Sequence, residues 1–187
     1  MKNLKTCALL YLMLTAITGV AYPFAVTIVS GLLFPDKSTG SLIRIDGEVR
    51  GSRLIGQKFT SPAYFWPRPS ASDYGTLPSA ASNMAPTSAL LKRLVAERKV
   101  QVSEYISVPI PPDLLLSSGS GLDPHVSPQA ALAQVYHVAQ ARGLNEQQKE
   151  NLLALVKQHT EGPQWAIFGS SRVNVLELNI ALDSMSK

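Results

Sequence analysis

Thiol chemistry has almost no place in this chain of 187 residues: Cys7 is its single cysteine, and it sits in an apolar N-terminal run. The part after Pro35 therefore has no disulfide and no thiol nucleophile, and must be stable through its core alone. Histidine is scarce as well. His125, His137 and His159 stand at no metal-ligand spacing, and no dense acidic cluster accompanies them. A zinc or hard-cation site has no support, and the lone carboxylate of Asp36 does not make one. His137 and His159 fall on expected helices and read as surface or hydrogen-bonded residues. A clustered basic field is also missing. After Pro35, fifteen basic residues face thirteen acidic ones, so the net charge of +4 overstates the basic character of that part. Lys92, Arg93, Arg98 and Lys99 are interrupted by Glu97 and read as the wet face of a helix, which leaves no nucleic-acid surface.

Charge itself is absent between Thr6 and Pro35, where Leu, Ala, Val, Ile, Tyr and Phe dominate. Crossing a hydrocarbon core of ~30 Å takes ~20 mostly apolar helical residues. The stretch is expected to be a single transmembrane helix. Lys2 and Lys5 precede it, and a short basic flank stays cytoplasmic, which puts the rest of the chain outside the inner membrane. The rival is a cleaved signal peptide ending at Gly19-Val20-Ala21. The apolar pattern continues from Phe24 to Phe34, and Pro23 would lie just past the cut, so a retained anchor is expected. Gly19 and Pro23 point to a bend or to close approach of a neighbouring helix. Simple tolerance of both residues in a membrane helix is the plainer alternative.

The expected segments are a short cytoplasmic N-terminus (1–5), a membrane helix region (6–35) and one periplasmic domain (36–187), with Asp36–Gly40 as the whole connection. About 150 residues suffice for one core. Asp46-Gly47, between Leu42–Ile45 and Glu48–Arg50, signals a β-hairpin. From Thr60 to Pro86 the chain is rich in Ser, Ala, Pro and Gly, with Tyr64, Phe65, Trp66 and Tyr74 set into it. The aromatics argue for an ordered loop. Thr87 or Ser88 caps a helix through Arg98, with Ala89, Leu90, Leu94 and Val95 as its buried stripe and Leu91 beside it. A short strand is expected from Val100 to Val108. Ser127 and Pro128 start a helix that stops at Gly143, with Ala131, Leu132, Val135, Val138 and Ala139 inward. Asn145 and Gln148 form a capping box for the next helix, whose core side is Leu152, Leu153, Leu155 and Val156. The short link makes a helical hairpin. Two strands are expected after it, one at Trp165, Ile167 and Phe168. The other starts at Val173 and runs to Leu182, with a slip at Val175 and Leu176. The fold class is α+β, with a small antiparallel or mixed sheet.

Ser118-Gly119-Ser120-Gly121-Leu122-Asp123-Pro124-His125 gathers hydroxyls, a carboxylate and an imidazole on one turn. It is neither a nucleophile elbow nor a P-loop, and proximity in sequence does not make a triad. The structural reading is that the glycines take special backbone angles while Asp123 and His125 satisfy local backbone groups. A partner-contact surface is the functional alternative. Tyr64, Phe65 and Trp66 beside Arg68 suit a protein interface, a loop packed on its own core, or, for Tyr64 and Trp66, the headgroup level of a bilayer.

These residues carry a resemblance that covers essentially the full length. Thr18-Gly19, Tyr22-Pro23, Leu33-Phe34-Pro35, Gly40 to Ile43, Gly51 to Phe59, Tyr64-Phe65, Arg68 to Ala71 and Ser82-Asn83 take part. So do Ser118 to Pro128, Ala139 to Leu144, His159 to Gly162 and Arg172 to Asn179. In this order they resemble the C subunit of the bacterial Kdp potassium-transporting ATPase. Pro67, Gly75, Ser79-Ala80-Ala81 and Met84 depart from the family pattern and alter only the loop. The resemblance implies a noncatalytic subunit of an ATP-driven, high-affinity potassium import complex. Its implied partners are a channel-like potassium-binding subunit, a P-type ATPase subunit, a small membrane subunit and the lipid bilayer. The exported domain would cap the external side of the channel-like subunit. No cofactor is bound firmly by such a subunit. ATP belongs to the complex and is bound mainly by the ATPase subunit, whose ATP affinity the family is described as raising. With the domain periplasmic, that effect has to be indirect. Partner-contact candidates are Gly19, Pro23, Tyr64, Phe65, Arg68, Ser118, Gly119, Ser120, Gly121, Asp123 and His125. The competing classes are an anchored hydrolase using Ser120 and His125, and an envelope scaffold or binding protein unrelated to transport.

Overall fold

A computed structural model describes residues 2–185. Met1, Ser186 and Lys187, at the outer ends of the expected segments 1–5 and 36–187, lie outside the described residues. The chain divides into two units after Ser52.

In the first unit, α1 (Lys2–Ala16), a π-turn (Ile17–Ala21) and α2 (Tyr22–Leu33) run on without a break. The apolar helix Asn3–Leu33 has 31 residues. At ~1.5 Å per residue that is roughly 46 Å, long enough to cross a ~30 Å hydrocarbon core. Its large side chains are unpacked; Leu10, Ile17, Phe24 and Leu32 are all more than half exposed. Near Gly19 and Pro23, where the sequence pointed to a bend or a close helix contact, the structure shows the π-turn. Tyr22 N–H donates to Ile17 O, five residues back. Pro23 has no N–H for the carbonyl of Gly19, so the ladder widens just before it. Thr18 and Thr27 turn their hydroxyls onto Leu14 O and Pro23 O at 2.7 and 2.8 Å, which satisfies both inside the helix.

After the four-residue α3 (Pro35–Ser38) come β1 (Leu42–Ile45) and β2 (Glu48–Ser52), paired antiparallel. Asp46 and Gly47 have φ of 52° and 81°, the doubly left-handed turn that an Asp-Gly pair favours. The register slips between Ile43 and Arg44, with Arg50 as the extra residue. Ser52 Oγ donates to Gly40 O at 2.7 Å and ties the hairpin base.

The second unit holds α4 (Ala89–Ser103), a 3₁₀ turn (Pro112–Leu114), β3 (His125–Val126), α5 (Pro128–Ala141), α6 (Glu146–Gln158), β4 (Thr160–Glu161), β5 (Arg172–Asn174) and α7 (Val175–Met185). The sheet order is β3-β5-β4, antiparallel throughout. Its core joins Ala131, Val135 and Val138 of α5, Leu152 and Val156 of α6, Leu178 and Leu182 of α7, and Phe65 from the long loop. The caps form as the sequence implies. Ser88 accepts from Leu91 N–H, Ser127 from Ala130 N–H, and Asn145 and Gln148 make a reciprocal box.

Several expectations are overturned. No strand forms at Val100–Val108: α4 continues to Ser103, because nothing in its polar sequence stops the turn before then. The helix sits with Leu91, Leu94, Val95, Arg98 and Val102 half-buried, while Ala89 and Leu90 are exposed. Arg98 is thus not on a wet face. Leu132 also stays largely outside, at 38% exposure. Trp165, Ile167 and Phe168 form no strand. Gln164 and Phe168 bond to each other across a tight turn, with φ of 51° and 60° at Trp165 and Ala166, which leaves the apolar side chains in solvent. The C-terminal strand is only Arg172–Asn174. Asn174 Oδ1 accepts Glu177 N–H at 3.2 Å and caps a helix instead. Val175, Leu178, Asn179 and Leu182 then share one buried face at helical spacing. The slip at Val175 and Leu176 was a change of period.

Candidate functional site

The aromatic loop lies on its own core. Phe65 is fully buried. Its N–H donates to Asn179 Oδ1 at 2.9 Å, and Asn179 Nδ2 donates back to Phe65 O at 3.0 Å. Gln134 does the same for Trp66: Oε1 accepts the Trp66 N–H at 2.7 Å and Nε2 donates to Trp66 O at 3.1 Å. Two buried amides, on α5 and α7, thus replace strand neighbours for a segment that has none. Tyr64 is clamped from outside. Its OH donates to Asp183 Oδ2 at 3.1 Å, and Arg142 lies over its ring while bonding Ala63 O and Asp183 Oδ1.

Trp66 stacks on His137 at 4.7 Å between centroids, and Tyr105 meets Trp66 edge-on at 5.1 Å. His137 is not on the surface: it is 3% exposed, and neither ring nitrogen has a partner within hydrogen-bond geometry among the described residues. Burial pushes its pKa down to about 4, against a weaker opposing effect of the Tyr64 backbone. The ring serves as a neutral stacking plate. His159, by contrast, is the half-buried C-cap of α6.

The turn 117–127 faces the same loop. Gly121 has φ +71°, and a Cβ there would stand 2.9 Å from Ala80 O and 3.0 Å from Ser72 Oγ, so only glycine fits. Ser118 is buried; its Oγ accepts Asp123 N–H at 3.4 Å and its N–H reaches Pro69 O at 3.4 Å. Ser120 Oγ accepts Leu122 N–H at 3.1 Å. Asp123 Oδ1 accepts His125 N–H at 3.0 Å and stands 3.5 Å from His125 Nδ1, while Oδ2 lies 3.3 Å from Arg68 Nη1. Burial raises the Asp123 carboxyl, but the side-chain and backbone bonds from His125 and the Arg68 charge outweigh it and hold it below its ordinary value. Tyr74 OH donates to Arg68 O at 2.7 Å; burial and Asp73, against the opposing charge of Arg98, push its phenol up to about 12.

Of the sequence-derived candidates, Arg68, Ser118, Gly121, Asp123 and His125 come together in one bonded cluster. Tyr64 and Phe65 belong to the neighbouring clamp. Gly119 and Ser120 are exposed at the tip of the turn. Gly19 and Pro23 belong to the first unit. The cluster's carboxylate is shared between Arg68 and His125, Arg68 Nε is buried with no partner among the described residues, and His125 faces Asp123 rather than a serine hydroxyl. Sequence reasoning passed over Gln134 and the role of Asn179. The available signal was a lone amide at an inward position of an apolar helical stripe.

A protein-family model described as K+-transporting ATPase, c chain (KdpC) matches residues 4–184. A potassium-transporting ATPase KdpC subunit of Dechloromonas aromatica is 49% identical over 193 residues, covering 98% of each chain. Those of Cereibacter sphaeroides and Methylococcus capsulatus are each 46% identical, again with 98% of both chains covered. The chain belongs to the KdpC family.

Proposed function

We propose that this chain is a noncatalytic accessory subunit of a Kdp-type, ATP-driven potassium import complex. The observation that carries this reading is the end-to-end correspondence with KdpC subunits of potassium-transporting ATPases. The helix Asn3–Leu33 holds the protein in the bacterial inner membrane; its apolar side chains have no protein packing of their own. Residues 1–5 are cytoplasmic, in keeping with Lys2 and Lys5, and the domain 36–187, with its helical hairpin of α5 and α6, is periplasmic. Gly19, in the π-turn, and Pro23, just after it, form the face that meets membrane partners. Tyr64, Arg68, Gly119, Ser120 and His125 offer the outer contacts over the channel-like subunit. Phe65, Ser118, Gly121 and Asp123 hold those contacts in shape. Any effect on ATP binding by the ATPase subunit passes through a shared conformational equilibrium, since subunit contacts on one side bias a state felt on the other.

Gentle detergent extraction from native membranes tests the reading. Stoichiometric co-purification with a P-type ATPase and a channel-like subunit is expected. A lone monodisperse species would refute it. Topology reporters fused after Lys5 and after Lys187 are expected to read cytoplasmic and periplasmic; a cytoplasmic reading after Lys187 would overturn the orientation and the indirect route to ATP.

A further inference from the structure

Among the described residues of the second unit, five lysine and arginine side chains are half-buried: Arg68, Arg98, Arg142, Lys149 and Arg172. Four of them face a carboxylate, on Asp123, Asp183, Glu146 and Glu161 respectively. Arg98 has none among the described residues. Its Nη1 donates to Leu115 O at 2.8 Å, which uses one of five guanidinium donors. None of the Arg98 guanidinium nitrogens is buried without a partner among the described residues, so those not bonded to Leu115 stay open to the adjoining space and can take the oxygens of an anion.

Two clefts include Arg98 in their lining. One cleft, of 270 Å³, is lined by Ser82, Ser117, Met84, Leu91 and Leu94 together with Arg98. A second, of 230 Å³, brings Arg98 beside Tyr74, Gln101 and Trp66. In the first, Ser70 Oγ is already engaged by Ser72 N–H and Tyr74 N–H. The hydroxyls of Ser82 and Ser117 make no hydrogen bond among the described residues and are free to donate. Leu91 and Leu94 stand on the same face of α4 as Arg98, and Met84 adds a third apolar side chain to the lining. The volume falls below the ~300–1,000 Å³ of pockets for drug-sized ligands, so the occupant is small.

We propose that this cleft binds a small carboxylic acid with a short apolar body, its carboxylate paired with Arg98 and bonded by the Ser82 and Ser117 hydroxyls. The inference stands on Arg98 and its surroundings and does not depend on the transport reading. A planar guanidinium suits a carboxylate through two parallel bonds, and Met84, Leu91 and Leu94 take the apolar end.

The test uses the full chain in phosphatidylcholine nanodiscs, with hexanoate as probe and hexanol as its uncharged counterpart. The readout is the Arg98 Nε–H resonance, assigned by its loss in Arg98→Lys. Hexanoate is expected to shift it saturably, and hexanol is not. Ser82→Asp supplies an internal carboxylate without disturbing the Arg98–Leu115 bond, and should weaken hexanoate by about tenfold or more. Lys99→Gln, at an exposed neighbour, should leave the affinity unchanged. No saturable shift, an equal response to hexanol, or full affinity in Ser82→Asp would overturn the proposal. So would loss of partner co-purification in Ser82→Asp without any hexanoate binding by the wild type, which would assign the cleft to a partner protein's carboxylate.

Discussion

Replacing Gln134 by leucine isolates what holds the aromatic loop in place. The side chain is fully buried on α5 and makes two bonds to the Trp66 backbone, at 2.7 and 3.1 Å. Leucine has a similar volume, so the cavity contribution is small. The Trp66 N–H and C=O are then left buried without partners, at ~1–3 kcal/mol each. The expected loss is about 2–6 kcal/mol, a large share of the ~5–15 kcal/mol by which a domain is stable. Urea unfolding of the full chain in mild detergent, followed by tryptophan fluorescence, measures it. Trp66 changes environment as it leaves His137, whereas Trp165 is already 86% exposed and adds little signal. Gln140→Leu, on the exposed side of the same helix, is the control and should stay within ~0.5 kcal/mol. A similarly small change for Gln134→Leu would refute the view that the two amides carry the loop. Asn179→Leu should resemble Gln134→Leu, and the double variant should lose less than the sum, since both hold adjacent residues.

Two other perturbations follow from the same geometry. His137 has a folded pKa of about 4 against an ordinary value of 6.5. The unfolded chain thus binds the extra proton first as pH falls. Stability is fully present above about pH 6.5 and declines toward pH 4, by up to roughly 3 kcal/mol. His137→Phe should flatten that limb in urea midpoints measured across the window; an unchanged slope would remove His137 as its cause. Gly121→Ala meets both the positive φ and the Ala80 carbonyl, and should cost about 1–3 kcal/mol. Gly119→Ala, with open space around it and no positive φ, should be near neutral in the same thermal melts.

Sequence alone determined the features that depend on a few neighbouring residues. The uncharged run became one long apolar helix, with a π-turn that contains Gly19 and ends two residues before Pro23. Asp46-Gly47 made its turn, and Ser88, Ser127 and Asn145 each capped a helix, because each motif satisfies backbone donors within its own turn. Tertiary structure decided what rests on distant partners. Gln134 lies 68 positions from Trp66 and Asn179 lies 114 from Phe65, so no local window reveals that these amides receive the loop. Arg98, read from the sequence as exposed, instead lines a cleft with Ser82 and Ser117 and bonds Leu115 O, 17 positions on. At the C-terminus, alternation and helical spacing overlap across Val173–Leu182. The chain resolves them by pairing Val173 in the sheet and capping α7 at Asn174, a choice made by packing rather than by pattern.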